Sequence, residues 1–290
     1  MLNRKNINKQ KSIRNSKKGG GYLFSLILNG IFILLFACAL IYKRDAVVRR
    51  WERLFAVRAP SDGVLAAFNN EPLEAFNGIV ETAGSDGEIS VLFLGNSITL
   101  HQPIEEDLVK AHKGMMATKL ENDYVHLVCA HLARDFGKNV NFSVVNISRL
   151  ERHFTEFPFD EMWLENASVR SPDWLVVQIG ENVRADEIRS NGELFSLRYA
   201  ELLRKFPSAE KIACLPFWPD AVKNAAITRA ALDTGSYIVD LSHLGSGIDE
   251  RNFASSEREY KMPGVGAHPG DFGMKNIADC VYNVMKARGN

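Results

Sequence analysis

Three short stretches of this 290-residue chain carry side chains able to act on an acyl carbon. The first is Gly95-Asn96-Ser97-Ile98-Thr99, directly after an apolar run. A Gly and then a Ser just past a buried strand put a hydroxyl on a tight turn, and the N–H groups of a following helix would point at the same spot. The second is Gly180-Glu181-Asn182-Val183, again after an apolar run, where an Asn amide can donate to a developing oxyanion. The third is residues 264–274, GVGAHPGDFGM, where His268 sits on a Gly/Pro-rich loop and is held by backbone shape. Each stretch also has a structural reading. Ser97 can cap a helix, Gly-x-Asn is a common turn, and His268 can be a satisfied structural histidine. Taken together, a hydroxyl, an imidazole and an amide are the parts of a nucleophile, its base and an oxyanion donor.

Positioning these parts falls to alternating strand and helix signals. Apolar runs at 90–94, 141–145, 174–179, 211–215 and 237–241 read as strands. Helical periodicity falls between and after them, at 123–136, 194–206, 220–232 and 274–286. The first of these helices places Val125, Val128, Cys129, Leu132 and Phe136 on one face. Five strands separated by helices predict an α/β fold, a mainly parallel five-stranded sheet covered on both faces. Ligands bind such sheets outside the carboxyl ends of the strands, where the first two stretches fall, and the third lies just before the last helix.

The rest of the chain predicts location. Lysine plus arginine balance aspartate plus glutamate at 35 each, but the first 18 residues hold seven basic residues and no acid, leaving the remainder at −7. An acidic body is a poor nucleic-acid binder. Residues 22–42 (YLFSLILNGIFILLFACALIY) contain no charge and, as a helix, would span about 30 Å, the hydrocarbon thickness of a bilayer. Seven positive charges precede the segment, and five (Lys43, Arg44, Arg49, Arg50, Arg53) follow it closely. The bias places the N-terminus in the cytoplasm and the body outside. Ala37-Cys38-Ala39 resembles a signal-peptidase site, and Leu35-Phe36-Ala37-Cys38 is a poor lipobox; either would export the body too. The expected organisation is a basic cytoplasmic tail (1–21), a transmembrane helix (22–42), a juxtamembrane region (43–88) with an amphipathic pattern at 44–57, and a catalytic-type domain (89–290). Cys129, Cys214 and Cys280 sit in apolar patterns and read as buried hydrophobes. The histidines show no metal-ligand spacing, and neither a P-loop nor a dinucleotide fingerprint is present, so no cofactor is expected.

The strings GNSITLH (95–101), DYVHL (123–127), NISRLER (146–152), GENV (180–183), FWP (217–219) and GVGAHPGD (264–271) resemble, in that order, a bacterial subgroup of the SGNH (GDSL-like) hydrolase superfamily. The resemblance covers roughly residues 90 to 288. It implies a flavodoxin-like three-layer α/β/α fold, with Ser97 as nucleophile, His268 as base and Asn182 as a side-chain oxyanion donor. It further implies backbone donors from Ser97 and from the loop after the second strand. Three positions depart from the family pattern. Asn96 stands where an Asp is usual, residues 146–152 hold no Gly, and Val265 stands where an Asp often precedes the His by three residues. His268 then has either a backbone carbonyl on Nδ1 or another acid. Asp240 is a candidate that also reads as a turn residue, and Asp271 reads as the cap of the last helix.

Gly95, Asn96, Gly180, Glu181, Glu151, Arg152 and Trp218 are the candidate substrate-binding residues. Glu151 and Arg152 read equally as an internal ion pair, Trp218 as packing, and His101 as either pocket lining or exposed. The expected function is a membrane-anchored, exported serine esterase that removes short acyl groups, most plausibly O-acetyl, from a cell-envelope or extracellular polysaccharide. A polysaccharide O-acetyltransferase using the same residues and a non-catalytic glycan-binding component are the alternatives. The expected partners are an acylated carbohydrate and, through residues 22–42, a membrane.

Overall fold

The computed structural model describes residues 70–73, 80–83, 89–159 and 171–288. The expected basic tail, transmembrane helix and amphipathic pattern at 44–57 lie outside the described residues. Among the described residues no helix is long and apolar enough to cross a membrane.

Seven strands form one sheet: β1 (Asn70–Leu73), β2 (Val80–Ala83), β3 (Ile89–Gly95), β4 (Val140–Asn146), β5 (Trp174–Gln178), β6 (Glu210–Leu215) and β7 (Tyr237–Asp240). Their order is β1-β2-β4-β3-β5-β6-β7. The five strands from β3 onward pair in parallel, and their order is the flavodoxin-like one. β1 and β2 add an antiparallel extension beyond β4. The sheet is therefore wider than the five strands expected, and the extra two come from within the stretch read as juxtamembrane.

The helices are α1 (Tyr124–Phe136), α2 (Ser148–Arg152), α3 (Ala185–Arg204), α4 (Ala221–Asp233), α5 (Pro263–Gly266) and α6 (Asp271–Arg288). β3 is buried on both sides, and its side chains alternate between two cores. Val91 and Phe93 pack with Val128, Leu132, Ile277 and Val281 of α1 and α6. Leu92 and Leu94 pack with Tyr199, Leu203, Ile227 and Ala231 of α3 and α4. Burying each such side chain contributes about 1.5–3 kcal/mol. Asp123 caps α1 by accepting from the His126 N–H at 2.9 Å, and Gly137, in the left-handed region, ends it. Asp220 caps α4 in the same way, through the Val222 and Lys223 N–H groups. Cys129 and Cys214 are buried in the core.

Asp271 does not cap the last helix. It is the first residue of α6, and its carboxylate receives the Thr118 N–H, the Thr118 hydroxyl and the Asn122 amide. Asp240 takes the Ser242 N–H and hydroxyl, which is the turn role.

Strand register aligns the carboxyl ends. Gly95 lies opposite Asn146 on one side and Gln178 on the other, and Gln178 lies opposite Cys214. The turns after β3, β4, β5 and β6 therefore emerge side by side. Gly95 is where this edge is tightest. A Cβ there would fall 1.8 Å from Thr99 Oγ1 and 2.4 Å from Thr99 Cβ, because the chain folds straight back over the strand end. Gly95→Ala is expected to cost about 1–3 kcal/mol of stability through that overlap, measured by urea unfolding.

Candidate active site

Asn96-Ser97-Ile98-Thr99 forms a turn held by its own main chain. The Thr99 and Leu100 N–H groups donate to Asn96 O, and the Met115 N–H donates to Ser97 O at 2.8 Å. No helix opens at Ser97. The β-branched pair Ile98-Thr99 turns into an irregular segment, and α1 begins only at Tyr124. The Ser97 N–H has no acceptor among the described residues.

His268 reaches this turn from the loop between α5 and α6. Its Nε2 lies 3.1 Å from Ser97 Oγ. Its Nδ1 lies 2.9 Å from the Gly264 carbonyl oxygen, so the group facing Nδ1 is main chain rather than a carboxylate. A carbonyl only accepts, so Nδ1 carries the hydrogen and Nε2 presents its lone pair to the hydroxyl. The loop is stapled at three points. The Ala254 N–H donates to His268 O, the Gly270 N–H donates to Asn252 O, and Phe253 bridges to Pro269. Burial is the main cause that pushes the imidazole below its usual 6.5, and a charge on nearby His101 pushes the same way, against the Gly264 bond. The ring is thus neutral near pH 7, the form a base requires.

Trp218, a candidate substrate contact that reads also as packing, is half-buried against this ring. Its ring meets the imidazole edge-to-face at 5.2 Å, and its indole N–H donates to Ala267 O at 3.2 Å. A concavity of about 500 Å³ shares Gly266 and Ala267 with the loop and is lined also by Phe253, Arg258 and Tyr260.

The second stretch arrives at the same edge. Gly180, at φ +137°, bends the chain after β5 in a conformation that side chains resist, and a Cβ there would strike Pro216 Cγ at 2.6 Å. The bend wraps around a carboxylate. Glu151 Oε1 accepts from the Gly180 N–H at 2.6 Å and the Asn182 N–H at 3.2 Å, and Oε2 accepts from Asn182 Nδ2 at 2.6 Å. The other hydrogen on Asn182 Nδ2 has no acceptor among the described residues.

Asn96 joins these pieces. Its Oδ1 accepts from the Ile98 N–H, and its Nδ2 donates to Glu151 Oε1 at 3.1 Å and to Glu181 Oε2 at 2.6 Å. Glu181 Oε1 in turn accepts from Gln178 Nε2 at 2.6 Å and the Phe217 N–H at 2.8 Å. Gln178 Oε1 accepts from the Thr99 hydroxyl, which also pairs with the Tyr124 hydroxyl. Burial first, and then the neighbouring Glu151 charge, push the Glu181 carboxyl up to about 7. Burial raises Glu151 as well, while its bonds from Asn182, Gly180 and Asn96 pull the other way.

Several expected substrate contacts are therefore internal. Gly95, Asn96, Gly180 and Glu151 are buried, the last fully, and the Glu181 carboxylate is occupied by three donors. Arg152 is exposed and is not among the partners of Glu151, so the internal ion pair does not form. The second-block backbone donor is not Ile147 or Ser148, whose N–H groups go to Gly95 O and Asn146 Oδ1. Gln178, Thr99 and Tyr124 were not expected at the site. The signal for them was a Gln closing an otherwise apolar strand.

Asn96→Asp would replace the shared donor with a third carboxylate between Glu151 and Glu181. Carboxyls crowded this way have raised folded-state pKa values, so the folded state binds more protons and stability falls as pH rises from about 4 towards 7. The expected loss is about 3–5 kcal/mol at pH 8 and clearly less at pH 5. Chemical unfolding at the two pH values measures it.

No protein-family model matches the chain, and no curated protein does. Among solved structures it is similar to the acetylxylan esterase Axe2 from Geobacillus stearothermophilus, at 16% identity and a TM-score of 0.46, over 68% of this chain and 93% of that one. It is similar also to the psychrotrophic esterase EstA from Pseudoalteromonas sp., at 13% and 0.42, over 70% and 100%. A lipase/acylhydrolase from Enterococcus faecalis matches at 15% and 0.41, over 69% and 96%. At such distances the chemistry of this chain has to be argued from its own side chains.

Proposed function

We propose that the chain is a serine esterase of SGNH (GDSL-like) type that hydrolyses short acyl esters, O-acetyl groups of a carbohydrate above all. The observation that carries this reading is the 3.1 Å approach of Ser97 Oγ to a His268 Nε2 whose tautomer is set by the Gly264 carbonyl. The same carbonyl supplies the orientation that a carboxylate would otherwise supply, which supports the catalytic reading.

In the proposed reaction Ser97 Oγ attacks the acyl carbon as His268 Nε2 takes the hydroxyl proton. The negative oxygen that develops accepts from the Ser97 N–H and from the second hydrogen of Asn182 Nδ2. Each such donor typically lowers the barrier by about 3 kcal/mol. The tetrahedral adduct collapses, the ester C–O bond breaks, and the departing alkoxide takes the proton from His268. Water then gives its proton to the same nitrogen and attacks the acyl-Ser97, which releases the acid and restores the hydroxyl.

The carbohydrate substrate rests on the concavity of about 500 Å³ beside the His268 loop, which holds aromatic rings next to hydrogen-bonding groups. The location is a proposal from sequence: residues 22–42 anchor the chain in the cell membrane with the catalytic domain outside.

Turnover of p-nitrophenyl acetate by the purified chain is expected to fall by about 10⁴-fold or more in Ser97→Ala and in His268→Ala. Turnover equal to that of the variants would overturn the esterase reading. The acid limb of kcat/KM is expected to have its midpoint below 6.5, because burial holds His268 neutral to lower pH. A pH–rate profile measures this. A membrane-impermeant fluorophosphonate is expected to label Ser97 on intact cells, and labelling only after lysis would refute the outward location.

A further inference from the structure

Glu151 belongs to no step of the reaction above, yet it is fully buried and draws four hydrogen bonds from three residues. All four partners donate. None is a cation, so the carboxylate is held by amides alone. The residues that converge on it lie 29 to 55 positions away in sequence, on the turns after β3 and β5. A surface Glu on a short helix has no need of such a cage.

We propose that Glu151 is a positioning residue of the ester-hydrolysing site, which fixes the orientation of the Asn182 amide so that its remaining Nδ2 hydrogen meets the oxyanion. This rests on the esterase reading and assigns a role that reading leaves open.

The argument is one of polarity. An Asn side chain has a donor end and an acceptor end of nearly the same shape, and packing alone distinguishes them poorly. A carboxylate oxygen can only accept. With Glu151 Oε2 at 2.6 Å, the end of Asn182 that faces it must be Nδ2. The NH₂ group is planar, so fixing one hydrogen fixes the direction of the other. Glu151 Oε1 meanwhile accepts from the Asn182 and Gly180 N–H groups, which fixes the backbone from which the amide projects. Side chain and main chain are thus set by one carboxyl group. The bond to Asn96 ties the same carboxyl to the residue before Ser97, so donor and nucleophile share a reference point.

Glu151→Gln preserves the shape and reverses the polarity at one oxygen. Its Oε1 can keep the Gly180, Asn182 and Asn96 donors, while its Nε2 then faces Asn182 Nδ2, donor against donor. The amide relieves this by turning over, which presents Oδ1 to the oxyanion in place of hydrogen. The expected result, on p-nitrophenyl acetate with the full chain, is a fall in kcat of about 10²–10³-fold with KM changed less than about threefold. In an Asn182→Ala background the same substitution is expected to cost less than about twofold further, because its target is gone. A purely structural role would carry its cost into both backgrounds, and that result overturns the proposal.

A second measurement does not depend on turnover. In protein labelled with ¹⁵N-asparagine, the Asn182 side-chain amide protons, assigned by loss in Asn182→Ala, are expected to be inequivalent, with one far downfield beside the carboxylate. In Glu151→Gln that signal is expected to collapse towards ordinary amide positions. An unmoved signal overturns the proposal. A wild type without Ser97-dependent turnover would instead refute the esterase reading, and the amide signal would still decide the Glu151–Asn182 coupling. If Glu151→Gln does not fold, Glu151→Asp, which keeps the charge but withdraws it by one methylene, carries the same pair of measurements.

Discussion

A single buried amide, that of Asn96, lies between two carboxylates at 3.1 and 2.6 Å, and the functional edge of the sheet is organised around it. Two glutamates brought together away from water repel each other and each lose hydration. What offsets these costs is a set of seven N–H donations, from Asn96, Gly180, Asn182, Gln178 and Phe217, each aimed at an oxygen. The donors come from the last residue of β5 and from the turns after β3, β5 and β6. Satisfying the carboxylates therefore fixes those turns relative to one another. Burying charge is a poor way to gain stability but an effective way to make one arrangement of backbone far better than its neighbours.

The two carboxylates serve different halves of the site. Glu151 faces the turn after β5 and holds Asn182. Glu181 holds the Phe217 N–H, and the adjacent Trp218 packs on the His268 ring. Lys223 Nζ, donating to the Glu181 carbonyl at 3.1 Å, ties the same turn to α4. His268 and Asn182 are thus connected through Asn96, the residue next to Ser97. The Asn at this position, a departure from the Asp usual in the family it resembles, fits its surroundings here, since only an amide can donate to both neighbours.

Much of this fold can be read from hydropathy. The five parallel strands are long apolar runs such as SVLFL and WLVVQI, and their helices carry clear 3.6-residue periodicity. β1 and β2 escaped because four-residue segments such as NEPL and VETA have no apolar alternation, and Pro72 argues against a strand anywhere but at a sheet edge, which is where β1 lies. The positions of Ser97 and Asn182 follow from the rule that ligands bind at the carboxyl ends of parallel strands, and that of His268 from its Gly/Pro-rich loop before the last helix. The role of Glu151 does not. In the string NISRLER it reads as a substrate contact or as half of an ion pair with Arg152, and its burial depends on donors remote in sequence. Local pattern cannot report such convergence. Asp271 misled for the same reason, since a cap and a tether to Thr118 look alike along the chain.

The acceptor on His268 Nδ1 is main chain, and that has an evolutionary consequence. Every amino acid supplies a carbonyl, so no codon change at position 264 deletes the group that orients the imidazole. The vulnerability moves instead to the scaffold that aims it. At Gly273, for instance, a Cβ would sit 2.1 Å from Asn252 O, the atom that anchors the loop through Gly270. Inherited loss of this base would accordingly concentrate at residues that never touch the ring.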